Sequence, residues 1–348
     1  MFKTQSSKLD VQSSKLIEIE HLSAGYDGKQ VLNDINLTVY QDEWYEYNES
    51  VAPVGAGAMG VVYLGKNSRS GQRVAIKMVR EQYANNPEIR ERAILEASLM
   101  FMHSNLIEML GHCELHPHQG PIWIVSKFVQ GITIDKFIHS QHYATTQRTA
   151  HIVRMFLPVL DALAYLHSKG ICHLDIKPSN IMVESGRNVR VLDLGIANIA
   201  NGFAEGSTNG HDSHGYMGTP NYAAPEQFTH ESQLSAETDI YEAGVSLYEL
   251  LTGKNPFAAR SLHETMEKHR TVCLPANENV PTELLKVLRK ATACQQSARY
   301  QSAQEFKQAL LAALRHKEPS VPIWAWVLLG LSAFMVIILI LICYLQMR

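Results

Sequence analysis

The sequence predicts an α+β fold in which a small β-rich lobe is followed by a larger helical lobe. Short runs of β-forming residues come early in the chain, at 61–64 and 74–77, and such runs are typical of strands. From Ile152 to His167, apolar residues recur three and four positions apart, as they do on one face of a helix. The 348 residues are enough for two lobes and further segments.

Charge and cysteine usage exclude two classes of protein. The formal net charge is −3, with 31 Lys and Arg against 34 Asp and Glu, so no nucleic-acid partner is expected. The five cysteines are scattered and form no C-x-x-C pair. They are therefore interpreted as reduced thiols rather than as a disulfide framework.

The N-terminal segment is predicted to consist of two parts. Residues 1–15 are rich in Ser, Lys and Gln and are predicted to be disordered. Residues 16–44 alternate in polarity around an Asp-Gly pair, which predicts a β-hairpin extension. This stretch resembles the opening strands of ABC-transporter ATPases, where a Tyr at the place of Tyr26 stacks on adenine. Since no G-x-x-x-x-G-K-[ST] follows, a hairpin docked on the small lobe, or one serving as a protein-binding edge, is favoured over a second nucleotide site.

A glycine-rich segment follows at 54–62. It contains G-x-G-x-x-G, and β-forming residues rather than a helix come after it. The pattern therefore favours a hairpin lid over phosphates, where glycines let the backbone approach phosphate oxygens closely. The residues expected to contact a nucleotide are Val54, Gly55, Ala56, Gly57, Ala58, Met59, Gly60, Val61 and Val62.

Lys77 ends the strand-like string Val-Ala-Ile-Lys, 17 residues after Gly60, and is the candidate to pair with the α- and β-phosphates. It needs an acidic partner in the apolar-periodic stretch 87–102. Glu96 is favoured because Met100, four residues on, would share its helix face. Glu91 is the alternative.

Two short segments in the middle of the chain carry acidic, basic and amide side chains close together in sequence. His-Leu-Asp-Ile-Lys-Pro-Ser-Asn occupies 173–180, and Val-Leu-Asp-Leu-Gly occupies 191–195. Together with the upstream motifs they resemble the signature strings of protein kinases. Phosphoryl transfer needs positioning and charge neutralisation. The resemblance implies that Asp175 accepts or orients the proton of the attacking hydroxyl and that Lys177 lies against the γ-phosphate. Asn180 and Asp193 would then ligate Mg²⁺ (or Mn²⁺).

The resemblance covers residues 45–314 and is to the eukaryotic-like (Hanks-type) serine/threonine protein kinases of bacteria. Residues 218–226 resemble the segment that receives the substrate peptide. There Thr219 would lie near Asp175 and Lys177, which suits Ser and Thr substrates, and Glu226 would pair with Arg299. Residues 239–245 resemble the buried helix that anchors the catalytic loop.

The chain departs from the family pattern at Leu174, where many kinases carry Arg. That Arg normally pairs with a phosphate on the activation loop, and Leu cannot do so. The sequence therefore predicts a non-RD kinase in which loop phosphorylation matters less.

The C-terminal end predicts a membrane anchor. Residues 323–345 form 23 consecutive uncharged residues rich in Leu, Ile and Val, and a helix of that length spans roughly 35 Å. Residues 315–322 are expected to be a linker. Basic residues before the span favour a single-pass inner-membrane protein with its kinase domain in the cytoplasm.

The sequence therefore predicts a membrane-anchored kinase that transfers the γ-phosphate of ATP to Ser and Thr hydroxyls of proteins. Its expected partners are protein substrates, the membrane and a second copy of itself for autophosphorylation. The alternative is a pseudokinase scaffold that binds nucleotide and partner proteins, favoured only by Leu174 and by a short spacing after Glu96. A hydrolysing ATPase is disfavoured because the Walker lysine loop is missing.

Overall fold

The structure, a computed structural model, describes residues 7–26, 29–48, 51–57, 60–116, 119–141, 145–185, 187–192, 219–229 and 234–315. Four predicted features lie outside these residues: Ala58 and Met59, the Asp-Gly turn of the hairpin, Asp193, and the segments 316–322 and 323–345.

In the part of the chain that the structure describes, the small lobe is built on one sheet and two helices. Its elements are β1 (Ser7–Tyr26), β2 (Lys29–Tyr47), β3 (Gly55–Ala56), β4 (Gly60–Asn67), β5 (Arg73–Val79), α1 (Glu81–Ala84), α2 (Pro87–Ser98), β6 (Met109–His116) and β7 (Gln119–Lys127). The strand order is β2-β1-β6-β7-β5-β4-β3, and β2 also pairs with β4. The hairpin β1–β2 therefore joins the two sides of the sheet into a ring of six strands.

The hairpin is longer than the sequence predicts. β1 and β2 pair antiparallel from Ser7↔Tyr47 to Tyr26↔Lys29, whereas the pattern predicted a hairpin only over 16–44. Residues 7–15, predicted to be disordered from their polar composition, lie in β1. Backbone pairing with a neighbouring strand does not require apolar side chains, which explains why composition failed here.

Each face of the small-lobe sheet has its own core. On one face, Tyr45 and Tyr47 pack with Val74, Ile76 and Trp123, and the Trp123 indole N–H donates to the Tyr47 hydroxyl at 3.0 Å. Ile122 and Ile124 belong to the other face.

The second face receives α2. Ala93 and Ala97 of the helix are fully buried in one cluster with Ile122 and Ile124. Because alanine side chains are short, α2 lies close against the sheet.

The large lobe is mainly helical. Its elements are β8 (Gly131–Thr133), α3 (Ile134–Ser140), α4 (Thr145–Ser168), β9 (Ile181–Glu184), β10 (Val189–Val191), α5 (Ala236–Thr252), α6 (Leu262–Thr271), α7 (Thr282–Ala291) and α8 (Ala303–Arg315), with 3₁₀ turns at Pro178–Asn180, Pro225–Phe228 and Gln296–Ala298. The three short strands form a separate sheet in the order β10-β9-β8.

The centre of the large lobe is formed by α4 and α5. In α4, the part from Gln147 to Ser168 is long and apolar enough to cross a membrane by composition. Several of its apolar residues, including Ile152, Phe156 and Leu163, are instead fully buried in the core of the lobe. α5 is buried along most of its length and ends at Gly253, whose φ of 76° gives the left-handed C-cap for which glycine is favoured.

Candidate active site

The catalytic loop lies between α4 and β9, and its backbone is held by α5. The carboxylate of Asp239, which is fully buried, accepts hydrogen bonds from the amides of His173 (2.8 Å) and Leu174 (2.7 Å). Leu174 has a φ of 63°, a left-handed conformation that is unfavourable for a non-glycine residue. The two bonds to one carboxylate keep the loop in this turn.

The turn brings four polar side chains together. Lys177 Nζ lies 2.9 and 2.7 Å from the two carboxylate oxygens of Asp175, and it also donates to the hydroxyl of Thr219. The Asn180 amide donates to Asp175 Oδ2 at 2.8 Å and to the Asp175 carbonyl at 2.9 Å. The structure therefore brings Asp175, Lys177, Asn180 and Thr219 into one group.

A histidine ring joins this loop to the strand that precedes Asp193. His173 Nδ1 accepts from the Asp175 amide at 3.3 Å, so Nε2 carries the proton that reaches the carbonyl of Leu192 at 3.0 Å. The Leu192 amide in turn donates to the Asn180 carbonyl at 2.8 Å. Asp193 itself lies outside the described residues, but the residue before it is fixed to the catalytic loop.

The glycine-rich segment forms the expected hairpin, in which Gly55 pairs with Val62 and Ala56 with Val61. Its glycines differ in their surroundings. A Cβ at Gly60 would lie 2.5 Å from the Met78 carbonyl oxygen, so only glycine fits between the strands. A Cβ at Gly57 would meet no atom within 4 Å, while its amide donates to the Gly60 carbonyl at 2.9 Å and its carbonyl accepts from the Arg80 guanidinium.

Lys77 lies on the sheet face that carries α2. It pairs with Val62 on one side and with Ile124 on the other, and Ile124 packs in the cluster that includes α2. Because directly paired residues share a face of the sheet, Lys77 points to the side on which α2 lies.

The choice between Glu96 and Glu91 as the acidic partner of Lys77 depends on burial rather than on a shared helix face. α2 ends at Ser98, so Met100 is not on the helix, and it is 45% exposed. The expectation that Met100 shares a helix face with Glu96 is therefore wrong. Burial separates the two candidates instead, since Glu96 is 4% exposed whereas Glu91 is exposed.

A buried ion pair fixes the segment after Thr219. Arg299 Nη1 and Nη2 donate to the two carboxylate oxygens of Glu226 at 2.6 and 2.8 Å. Burial acts to raise the pKa of Glu226, but the hydrogen bonds and the charge of Arg299 outweigh burial and hold that pKa below its usual value. The remaining guanidinium N–H bonds reach the carbonyls of Ala293, Cys294 and Glu237.

Residues 220–222, which the resemblance assigns to substrate binding, are held by side chains that sequence reasoning missed. His269 Nε2 lies 2.9 Å from the Pro220 carbonyl, and its Nδ1 lies 2.8 Å from the Tyr241 hydroxyl. Burial lowers the pKa of His269 to about 4, so the ring is neutral and can donate to Pro220 while it accepts from Tyr241. Asn255 donates to the Asn221 carbonyl at 3.1 Å.

Comparison with known proteins identifies the family of this chain. The sequence model of the protein kinase domain matches residues 48–312. The chain belongs to the protein kinase family. Its kinase domain is of the eukaryotic-like bacterial type, and the two-lobed kinase fold that the sequence predicts is confirmed.

Three similar proteins illustrate the relationship. Serine/threonine-protein kinase PknB of Mycobacterium tuberculosis is 30% identical over 285 residues, covering 80% of this chain and 44% of the relative. Serine/threonine-protein kinase PrkC of Bacillus subtilis is 30% identical over 260 residues, covering 73% of this chain and 38% of the relative. The chain thus spans less than half the length of these relatives. The kinase domain of Mycobacterium tuberculosis PknI has the same fold, with a TM-score of 0.56 and 22% identity over 77% of this chain and 96% of the other.

We expect Arg299→Lys to destabilise the protein by about 3 kcal/mol, because one ammonium cannot satisfy the five buried acceptor contacts of the guanidinium. Urea unfolding measures this loss. Arg73→Lys is the control, since Arg73 makes an exposed hydrogen bond to Gln130 and its replacement should change stability by about 0.5 kcal/mol or less. Equal effects of the two substitutions would contradict the importance given to the Glu226–Arg299 pair.

Proposed function

We propose that this chain is an active serine/threonine protein kinase that transfers the γ-phosphate of ATP to Ser and Thr hydroxyls of protein substrates. The observation that carries the proposal is the group formed by Asp175, Lys177, Asn180 and Thr219. A carboxylate and an ammonium lie in contact at the place where the family performs phosphoryl transfer. Both are about one-fifth exposed, so substrates can reach them.

The carboxylate of Asp175 is positioned to orient the attacking hydroxyl and to take its proton. Two of its partners, Lys177 and Asn180, hold the side chain in one orientation, and such orientation is a main source of catalysis in phosphoryl transfer. Lys177 brings a positive charge next to the transferring group, where it neutralises charge that develops on the phosphate. Thr219 Oγ1, 3.3 Å from Asp175 Oδ1, ties the substrate segment to the same carboxylate.

ATP is proposed to bind between the lobes, under the glycine-rich hairpin. Lys77 would contact its α- and β-phosphates, with Glu96 on α2 as the partner that orients Lys77; Glu91 is disfavoured because it is exposed.

The residues also fit a divalent cation. The amide nitrogen of Asn180 is turned to Asp175, which leaves the amide oxygen on the opposite side as a hard ligand of the kind Mg²⁺ prefers. Asn180 and Asp193 would hold Mg²⁺ (or Mn²⁺), which neutralises phosphate charge when bound.

The pseudokinase alternative is not favoured. A scaffold that only binds nucleotide has no need of a carboxylate with three oriented partners, yet Asp175 has them. The relatives named above carry kinase names, which is consistent with catalysis.

Transfer activity can be tested with the full chain, Mg²⁺ and labelled ATP. Wild type should label itself or a generic protein substrate, while Lys77→Met and Asp175→Asn should each lower the rate by at least about 100-fold. Asp161→Asn is a matched control, because Asp161 pairs with Lys307 on the large lobe and its loss should leave the rate within about twofold. No labelling by wild type, or equal labelling by all four chains, would exclude the kinase proposal.

Loop phosphorylation is proposed to be unnecessary for activity. Leu174 is 2% exposed, and its apolar side chain cannot pair with a phosphate, whereas its backbone is held by Asp239. Chain treated with a phosphatase, with the phosphatase then removed, should keep at least about half of the initial rate on a peptide substrate. An initial rate that falls tenfold or more and recovers only as the chain relabels itself would contradict this.

Anchoring to the cytoplasmic face of the inner membrane through residues 323–345 is also proposed, on the apolar length of that segment. In a bacterial host, the full chain should sediment with membranes and resist extraction by high salt. Replacing two central residues, Met335→Lys and Ile338→Lys, should release it, because charges at the centre of a span are unfavourable. Salt extraction of the unaltered chain would contradict an integral anchor.

A further inference from the structure

The face of α5 under the catalytic loop carries three buried polar side chains. Asp239, Glu242 and Ser246 are spaced three and four residues apart, and none is more than 1% exposed. Asp239 holds the amides of His173 and Leu174, as described above. Glu242 Oε2 accepts from the Ile176 amide at 2.7 Å, and the Ser246 hydroxyl donates to the Ile176 carbonyl at 2.8 Å.

The contact made by Glu242 acts on the peptide bond that follows Asp175. The N–H of this bond belongs to Ile176 and is bound by Glu242. Its carbonyl belongs to Asp175 and accepts from the Asn180 amide at 2.9 Å. The peptide plane next to the catalytic carboxylate is therefore held from both sides, and a rotation of this plane would move the Asp175 side chain.

We propose that Glu242 is a positioning residue for Asp175, because it holds the Ile176 amide of the peptide bond that follows this carboxylate. The catalytic part of this inference rests on the proposed kinase function. Glu242 lies within the stretch 239–245 that resembles the anchoring helix, but the resemblance assigns it no role of its own.

The surroundings of Glu242 disfavour its charged form. Burial raises the pKa of Glu242 well above its usual value, and the negative charges of Asp239 and Asp175 raise it further. Hydrogen bonds from the Ile176 amide and the Gln227 side chain act in the opposite direction. Asp239, in contrast, has three donors, because His167 Nε2 also lies 2.7 Å from its Oδ2.

Among the residues that the structure describes, the other charged and titratable groups near Glu242 do not supply a cation for it. On the catalytic loop, Lys177 contacts Asp175, and burial raises the pKa of Cys172, which keeps this thiol neutral. On the substrate segment, Glu226 is paired with Arg299. Protonation of Glu242 is thus the way in which two carboxyl groups share one buried helix face.

Gln227 extends the contact to the substrate segment. Its side-chain carbonyl accepts from the Ala224 amide at 2.6 Å, and its side-chain nitrogen lies 3.4 Å from the Leu174 carbonyl. Since Gln227 also bonds to Glu242, one carboxyl group joins the catalytic loop to the segment that ends in Glu226.

Glu242→Gln tests the protonation state without relying on activity. Glutamine keeps an acceptor for the Ile176 amide but cannot ionise. In wild type, the unfolded chain releases the Glu242 proton above about pH 4.5 while the folded chain retains it, so folding loses stability as pH rises toward the raised pKa of the folded state. The melting temperature of Glu242→Gln in detergent should therefore exceed that of wild type by a margin that grows from pH 5 to pH 8, to about 2–4 °C.

Glu242→Leu tests the positioning role. It leaves the Ile176 amide without its acceptor, so kcat should fall by at least about tenfold while the KM for ATP changes by about twofold or less. Glu242→Gln should keep kcat within about threefold of wild type. Thr149→Val is the matched control, because it removes a buried hydroxyl that donates to the Asn279 carbonyl away from the site; it should lower stability without lowering kcat.

Each result decides one part of the inference. A melting-temperature difference between Glu242→Gln and wild type that does not change with pH would overturn the neutral carboxyl group. A folded Glu242→Leu variant with wild-type kcat, or a Glu242→Gln variant as impaired as Glu242→Leu, would overturn the positioning role. A wild-type chain without transferase activity would instead exclude the proposed function and the catalytic part with it, while the melting temperatures would still decide the protonation state.

Discussion

The buried carboxylate of Asp239 fixes the backbone from which the proposed catalytic side chains extend. It accepts from two successive amides and from His167, which satisfies a charge that would otherwise be costly to bury. The Asp239 carboxylate also holds Leu174 in a left-handed conformation that costs about 1–2 kcal/mol for a non-glycine residue. Hydrogen bonds to a charged group stabilise by about 1.5–3 kcal/mol each, so the carboxylate is sufficient to keep the turn.

Helix α5, which carries Asp239, also holds the substrate side of the site. The Glu226–Arg299 pair joins the end of the substrate segment to the carbonyls of Ala293 and Cys294, beyond α7. Arg299 also donates to the Glu237 carbonyl in the first turn of α5. A buried pair of this kind fixes geometry more than it adds net stability. Both halves of the site are therefore held by α5, which is buried along most of its length.

The sequence was most informative where chemistry is local. Asp175, Lys177 and Asn180 lie within six residues, so their spacing alone placed them in one loop, and the pairing of Glu226 with Arg299 followed from the family resemblance. Prediction from the sequence failed where contacts join elements that are far apart in the chain. The role of Gln227, His269 and Glu242 comes from long-range hydrogen bonds that no local pattern reveals, although a second acidic residue three positions after Asp239, in a helix predicted to be buried, was a usable signal. The length of the N-terminal hairpin was missed because strand pairing there does not follow hydrophobic alternation.

Leu174, which stands where many kinases carry Arg, can be interpreted from these contacts. A guanidinium beside Asp175 would provide a site at which a phosphate on the activation loop could act on the proposed catalytic group. In this chain the side chain is apolar and buried, and the contacts of its backbone are made by Asp239 and Gln227. The backbone of the catalytic loop is thus held by side chains of the helical lobe. Control by phosphate requires an energetic difference between two states of the loop; on the proposal made above, the contacts of Leu174 would leave little such difference for a phosphate to supply.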